Sequence, residues 1–233
     1  MPRALSLKRS GIVLTVLSKK LWFPDPRSAL AGGEADGLVA MGGDLSVPRL
    51  LLAYRSGIFP WTLRPITWWS PDPRAIFELD AWHVSRSLAR VLRQSHFTAT
   101  RDSAFRQVME GCATPARGRR STWVTPEFIE AYTRLHEAGH AHSVECWQAG
   151  KLVGGIYGVA IGGFFAGESM FHRADNASKV ALYHLFQHLR DRGFALFDTQ
   201  VMNPATQQLG AIHLPREDYL HRLKGAIELP CSF

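Results

Sequence analysis

No stretch of the chain approaches the roughly eighteen consecutive apolar residues that a membrane-spanning helix needs, and a bilayer-spanning role is set aside. Cysteine is scarce: Cys112, Cys146 and Cys231 are the only three among 233 residues. They are odd in number, far apart and without a CxxC pair, which excludes a disulfide framework and a thiolate zinc site and fits a reducing compartment. Internal repeats and low-complexity tracts are absent. Acidic residues are outnumbered, 20 Asp and Glu against 27 Lys and Arg, leaving a net charge of +7 with His neutral. That balance favours an anionic partner, nucleic acid first among them. With 46% hydrophobic and 20% charged residues, the chain has the composition of a globular protein with one good-sized core, or one core and a small companion domain.

One segment imitates a targeting signal. Lys8 and Arg9 precede the apolar run 11–17, and Ala29, Leu30 and Ala31 resemble a cleavage site. The run is too short, and Ser18, Lys19 and Lys20 follow it directly. It reads as an extended segment of β-branched residues, and the protein is expected to be soluble, cytoplasmic and monomeric.

Residues 1–74 are dense in Gly, Pro and Trp, and the turn-rich run 68–74 reads as a joint. The expected division is a small N-terminal α/β domain over 1–74 and a second domain over 75–233. From 83 to 94, Val84, Leu88, Val91 and Leu92 fall at helical spacing, while Arg86, Arg90 and Arg93 repeat on another face. A helix is expected over 126–138, with Thr125 at its N-cap and Gly139 at its stop. Three strands follow, over 141–147, 152–159 and 164–171. A helix over 178–192 is closed by Gly193, and a last strand spans 194–201. Hairpin, helix, strand is the order of a GNAT-type acyltransferase core, so the fold class is α+β, with a mixed sheet flanked by helices. At this point the likeness is one of fold alone.

Two motifs mislead. His136-Glu137-Ala138-Gly139-His140 matches the HExxH pattern of zinc peptidases, with Glu168 or His142 as an imaginable third ligand. The pattern works only on a continuous helix, and Gly139 followed at once by a strand puts His140 beyond the helix end. No metal is expected. The turn 173–178 occupies the place where CoA-dependent acyltransferases hold a pyrophosphate on glycine amides. Asn176 and Ser178 take the glycine positions and Asp175 adds negative charge. Acetyl-CoA is disfavoured as the donor, a helix N-cap is the plainer reading of Asn176 and Ser178, and no cofactor is expected.

Several long motifs carry a resemblance. Residues 37–46 (GLVAMGGDLS), 54–61 (YRSGIFPW), 68–74 (WWSPDPR), 167–171 (GESMF) and 198–203 (DTQVMN) resemble the bacterial leucyl/phenylalanyl-tRNA–protein transferases. The likeness runs from about residue 21 to 222, with a longer N-terminus, an Arg-rich insertion at Arg117, Arg119 and Arg120, and an early stop at Phe233 as departures.

That resemblance implies transfer of leucine or phenylalanine, less well methionine, from aminoacyl-tRNA to the N-terminal amine of proteins beginning with Arg or Lys, marking them for degradation. A GNAT-type acyltransferase with a CoA donor is the alternative, and a non-catalytic RNA-binding protein the third. The implied catalytic group is Asp198, Gln200, Glu168 and Asn203. Gln200 holds or relays the amine proton, Asp198 orients Gln200 through a hydrogen bond, and Asn203 lies close by. Glu168 attracts the acceptor's basic side chain or ammonium. Two apart on a strand, Asp198 and Gln200 are expected on one face. Ile156, Met170, Leu185, Leu189 and Phe197 are implied as the amino-acid pocket, although alone they read as core residues. Trp61 and Trp123 are implied as platforms for the terminal adenine, or are core tryptophans. Arg86, Arg90 and Arg93 would meet acceptor-stem phosphates, or form a solvated helix face.

Overall fold

The computed structural model describes residues 14–94, 96–115 and 122–233. Lys8, Arg9, the start of the N-terminal apolar run and the insertion at Arg117, Arg119 and Arg120 lie outside the described residues. The strands are β1 (Thr15–Leu17), β2 (Leu38–Gly42), β3 (Phe59–Leu63), β4 (Ile66–Trp69), β5 (Arg74–Phe77), β6 (Thr98–Arg101), β7 (Ala141–Gln148), β8 (Lys151–Ile161), β9 (Phe164–His172), β10 (Leu196–Gln200) and β11 (Ile212–Leu214). The helices are α1 (Val47–Arg55), α2 (Arg86–Arg93), α3 (Phe105–Ala113), α4 (Pro126–Glu137), α5 (Ala177–Asp191), α6 (Pro204–Gln208) and α7 (Arg216–Ala226).

They build two sheets, one of four strands in the order β1-β2-β4-β3 and one of seven in the order β11-β5-β10-β9-β8-β7-β6. The chain passes from the first to the second between Trp69 and Arg74. The larger sheet is antiparallel except where β10 runs parallel to β9. Helix α5 is the crossover between those two strands. This is the expected α+β arrangement of hairpin, helix and strand, a mixed sheet flanked by helices.

Period-2 alternation sorts the larger sheet's side chains onto two faces. Ile156, Phe165 and Phe197 pack with the apolar stripe of α5, including Leu182, Leu185, Phe186 and Leu189. Their neighbours Tyr157 and Ala166 pack on the other side with α1, α3, α4 and the smaller sheet. One core therefore includes residues from both sheets, and α7 joins it through Tyr219 and Leu223.

Two glycines fix local geometry. Gly139 has φ +78 and follows the end of α4, so His140 leads into β7 instead of continuing the helix. Gly57 has φ +74, and a Cβ there would stand 2.7 Å from Leu220 and 3.0 Å from Tyr219. Only glycine lets the turn after α1 take this shape and still admit α7. Thr125 occupies the N-cap position of α4, but its hydroxyl bonds Glu127 at 2.8 Å instead of capping the helix.

Candidate active site

The parallel pairing of β9 and β10 stops early. It runs from Leu196 opposite Phe164 to Asp198 opposite Ala166, whereas β9 continues to His172. Against its other neighbour β10 slips register between Asp198 and Gln200, and Gln200 sits at φ +66. Where two parallel strands part, the sheet opens. A cavity of about 900 Å³ occupies this opening, and its walls come from both sheet faces, with Ile156, Met170, Phe197 and Leu182 on one side and Phe59 and Phe128 on the other.

Glu168 and Gln200 are among the polar residues that line the cavity. The Gln200 amide donates from Nε2 to Glu168 Oε1 at 2.7 Å. Tyr54 donates its hydroxyl to the same oxygen at 2.8 Å, and Tyr132 reaches Oε2 at 3.3 Å. The two tyrosine hydroxyls also bond each other. Glu168 is buried, and no Lys or Arg forms an ion pair with it among the described residues. Burial pushes its carboxyl up to about 8, the nearby Asp198 adds to that, and the hydrogen bonds from Tyr54, Tyr132 and Gln200 only partly offset it. The surroundings thus favour the neutral form of this carboxyl over its ion.

Asp198 belongs to a different cluster. Its carboxylate takes Arg74 Nε at 2.9 Å and Nη2 at 2.7 Å, a bidentate pair with both side chains almost fully buried. Tyr219 donates to Oδ2 at 2.9 Å. Arg74 also reaches the Gly57 carbonyl at 3.1 Å and lies over the rings of Phe59 and Tyr219. Burial opposes the charge on Arg74, but the Asp198 carboxylate outweighs it and holds the guanidinium above its ordinary range.

These contacts correct the expected relay. Asp198 does not bond the Gln200 side chain; it accepts the Gln200 backbone N–H at 2.8 Å. The two residues are not related by plain alternation either, because the register slip and the positive φ re-aim Gln200 toward Glu168. Asp198 is not among the cavity's lining residues. It fixes the bulged backbone from which Gln200 enters.

Of the expected pocket, Ile156, Met170 and Phe197 line the cavity. Leu185 and Leu189 do not: both are fully buried in the α5 core. Leu182, one turn earlier on the same helical stripe, takes that place. The i, i+4 spacing correctly identified the buried face of α5 but not which end of it meets the cavity. Trp61 and Trp123 both line the cavity, Trp61 partly exposed and set edge-on against Trp69, Trp123 edge-on against Phe128. Asn203 lines it too, with its side chain engaged in capping α6 at the amides of Ala205 and Thr206. Arg86, Arg90 and Arg93 lie exposed on α2, outside the cavity walls.

Sequence reasoning missed Arg74, Tyr54, Tyr132 and Tyr219. Tyr54 and Arg74 stand inside the quoted motifs, and a Tyr on the apolar stripe of α4 was the available sign for Tyr132. Around the HExxH letters, His136 Nδ1 bonds the Ala141 carbonyl at 2.7 Å and His142 Nδ1 bonds Asp102 at 2.7 Å. Among the described residues no three His, Cys, Asp or Glu side chains are grouped to hold a metal ion.

Comparison with known proteins bears on this site. The family model described as "Leucyl/phenylalanyl-tRNA protein transferase" matches residues 76–224, and that of the same enzyme's N-terminal domain matches residues 43–72. The chain is 50% identical over 212 residues to the leucyl/phenylalanyl-tRNA–protein transferase of Shewanella woodyi, covering 90% of this chain and 89% of that protein. It is 52% identical over 203 residues to that of Shigella dysenteriae, covering 86% and 85%. Among solved structures, L-PGS from Bacillus licheniformis aligns at 16% identity and TM-score 0.41 over 66% of this chain and 50% of that one, too weak a likeness to carry an argument. With half its residues shared over nine-tenths of its length, the chain belongs to the leucyl/phenylalanyl-tRNA–protein transferase family of aminoacyltransferases.

Proposed function

We propose that the chain moves leucine or phenylalanine, and methionine less well, from aminoacyl-tRNA onto the N-terminal α-amine of cytoplasmic proteins that begin with Arg or Lys, as an N-degron mark. The observation that carries this reading is the mainly apolar cavity of about 900 Å³ whose wall holds the hydrogen-bonded pair Glu168 and Gln200 and two tryptophans. An apolar pocket with a few convergent polar groups fits an aminoacyl ester and an amine better than a purely polar ligand.

The donor ester is already activated. The amine nitrogen attacks the ester carbonyl carbon, the bond from that carbon to the ribose oxygen breaks, and the amine's proton ends on the departing oxygen. An α-amine with an unperturbed pKa near 7.7–8.0 is about a tenth free base at pH 7, so positioning does most of what is required. Gln200 spends Nε2 on Glu168, which makes its amide oxygen the end that accepts an amine N–H. Glu168, with its carboxyl pushed up to about 8, is matched to an incoming cation: losing its proton as the acceptor's ammonium or basic side chain binds costs little near neutral pH. Ile156, Met170, Phe197 and Leu182 receive the donor side chain, and a pocket of fixed width discriminates against β-branched residues by only ~1–3 kcal/mol. Trp61 and Trp123 stack the terminal adenine, and Arg86, Arg90 and Arg93 meet acceptor-stem phosphates. The division near residue 74 is part of the same proposal, with the first part supplying Trp61, Tyr54 and Phe59 to a site otherwise built on the larger sheet.

The test is transfer of labelled leucine from leucyl-tRNA to peptides beginning with Arg, Lys or Ala. Transfer to the first two and not the third is expected. Turnover of acetyl-CoA in place of aminoacyl-tRNA would replace this reading with the CoA-dependent one.

A further inference from the structure

Beside the main cavity lies a second, of about 300 Å³, at the N-terminus of α5. The two share Met170, Ala205 and Leu209 as a common wall. We propose that this smaller cavity holds a backbone phosphate of the donor RNA, the phosphodiester just before the aminoacylated nucleoside. The proposal rests on the transfer reading above.

Three observations point to an anion here. First, α5 is 15 residues long, its N-cap Asn176 makes no side-chain capping bond, and no acidic residue stands in its first turn. The amides of Ser178 and Lys179 belong to the first turn, whose N–H groups have no partner inside the helix and carry the positive end of its dipole. Second, Ser178 lines the cavity and is more than nine-tenths buried, at 7% exposure. Its hydroxyl has no hydrogen-bond partner among the described residues. The hydroxyl oxygen is not among the sealed, unpartnered polar atoms of the interior, so it is open to the cavity and available to a ligand oxygen. Third, His172, Arg173 and Lys179 line the same space, and none of them forms an ion pair among the described residues. The Arg173 guanidinium lies over the Phe171 ring, with Nη1 3.5 Å from the Leu152 carbonyl. Asp175, in the turn before the helix, is exposed and outside the cavity lining.

Contiguity decides the source. An aminoacylated nucleoside in the large cavity must continue through its 5′ oxygen into a phosphate, and the shared wall leads directly to this helix end. The turn before α5 lacks the glycines that would let two phosphates approach the backbone, which favours one phosphodiester over a CoA-type pyrophosphate.

The experiment compares three leucyl donors: full tRNA, a cytidylyl-adenosine ester that contains one phosphodiester, and an adenosine ester that contains none. For Lys179→Gln and Arg173→Gln, the KM ratio of the cytidylyl-adenosine donor to the adenosine donor should rise roughly tenfold over wild type, as for loss of a charge-assisted hydrogen bond. The tRNA donor should follow the dinucleotide. Lys179→Arg should restore the ratio, which a merely structural role would not produce. A ratio left unchanged, with all three donors weakened alike or none affected, overturns the proposal. So does inorganic phosphate shifting the amide resonances of Ser178 and Lys179 while the variants leave the dinucleotide donor untouched, for the site then takes free phosphate. Failure of the wild-type protein to use any of the three donors would instead sink the transfer reading itself.

Discussion

Asp198 and Glu168 sit close enough to influence each other's charge, yet the fold treats them in opposite ways. Asp198 meets a guanidinium in a bidentate pair; among the described residues Glu168 meets the neutral donors Tyr54, Tyr132 and Gln200 and no cation, and burial pushes it up to about 8. The first carboxylate is fixed in position by its ion pair and the Tyr219 hydroxyl. The second is left free to change its charge near neutral pH, and it is the one that lines the cavity. A site thus places its rigid ion pair behind the working surface and its adjustable acid on it.

Breaking the first half of that contrast should have the largest effect. Arg74→Ala leaves Asp198 buried without a counter-charge, and removing one member of such a pair typically costs ~3–5 kcal/mol. Urea unfolding should show it, and a loss below ~1 kcal/mol would mean the pair does not hold the β5 and β10 strands as described. Asp198→Ala should also be poorly stable, whereas Arg74→Met combined with Asp198→Leu should recover most of the stability without recovering transfer.

Gln200→Ala comes next. It should lower kcat by about a hundredfold, the scale of losing one well-placed donor or acceptor at a reacting centre, while aminoacyl-tRNA affinity and melting temperature stay near wild type. Because Gln200 bonds Glu168 through its side chain, the losses in Gln200→Ala and Glu168→Gln should combine to less than their product. Strictly multiplicative losses would separate the two residues.

Glu168→Gln tests the other half. The folded value of about 8 lies above the ordinary 4.5, so the stability of the neutral form is fully present below pH 4.5 and is lost as pH rises toward 8. The amide variant cannot ionise. Melting curves of wild type and variant should therefore diverge between pH 5 and 8, with the variant higher by several degrees, about 2–4 °C for each kcal/mol in a chain of this size. Parallel curves would show that Glu168 is already ionised in the protein without substrate.

Outside both clusters the effects should be smaller and of another kind. Trp61→Ala should raise KM for the donor in line with ~1–3 kcal/mol per stacked base, with little change in kcat. Replacing Arg86, Arg90 or Arg93 singly by Ala should flatten the salt dependence of tRNA binding by ~0.7–0.9 log unit for each phosphate left without its arginine, equally for leucyl and phenylalanyl donors. A selective loss for one donor would refute the phosphate assignment.

The contrast also marks what a sequence can reveal. Helices α4 and α5 and strands β7, β8 and β9 emerge from apolar periodicity and from Gly139 and Gly193, because those signals are local. The pairing of Arg74 with Asp198 spans 124 positions, and nothing local links an Arg in a turn-rich motif to an Asp on a strand. Gln200 at positive φ is equally hidden, since Gln does not announce a left-handed backbone as Gly or Asn does. The place of Leu185 and Leu189 has the same origin: helical spacing tells which side of α5 is buried, while the parting of β9 and β10 decides where along it the cavity opens.

Tyr219, on α7, has a consequence for how the enzyme comes into being. The groups that bond Asp198 and Glu168 through their side chains come from positions 54, 74, 132, 200 and 219, so the polar core cannot close until the seventh helix has left the ribosome. A nascent chain stalled before residue 216 would lack a donor to Asp198 and one of the two rings over Arg74. Such long-range closure slows folding, and a product of translation interrupted before α7 would lack this part of the Asp198 cluster.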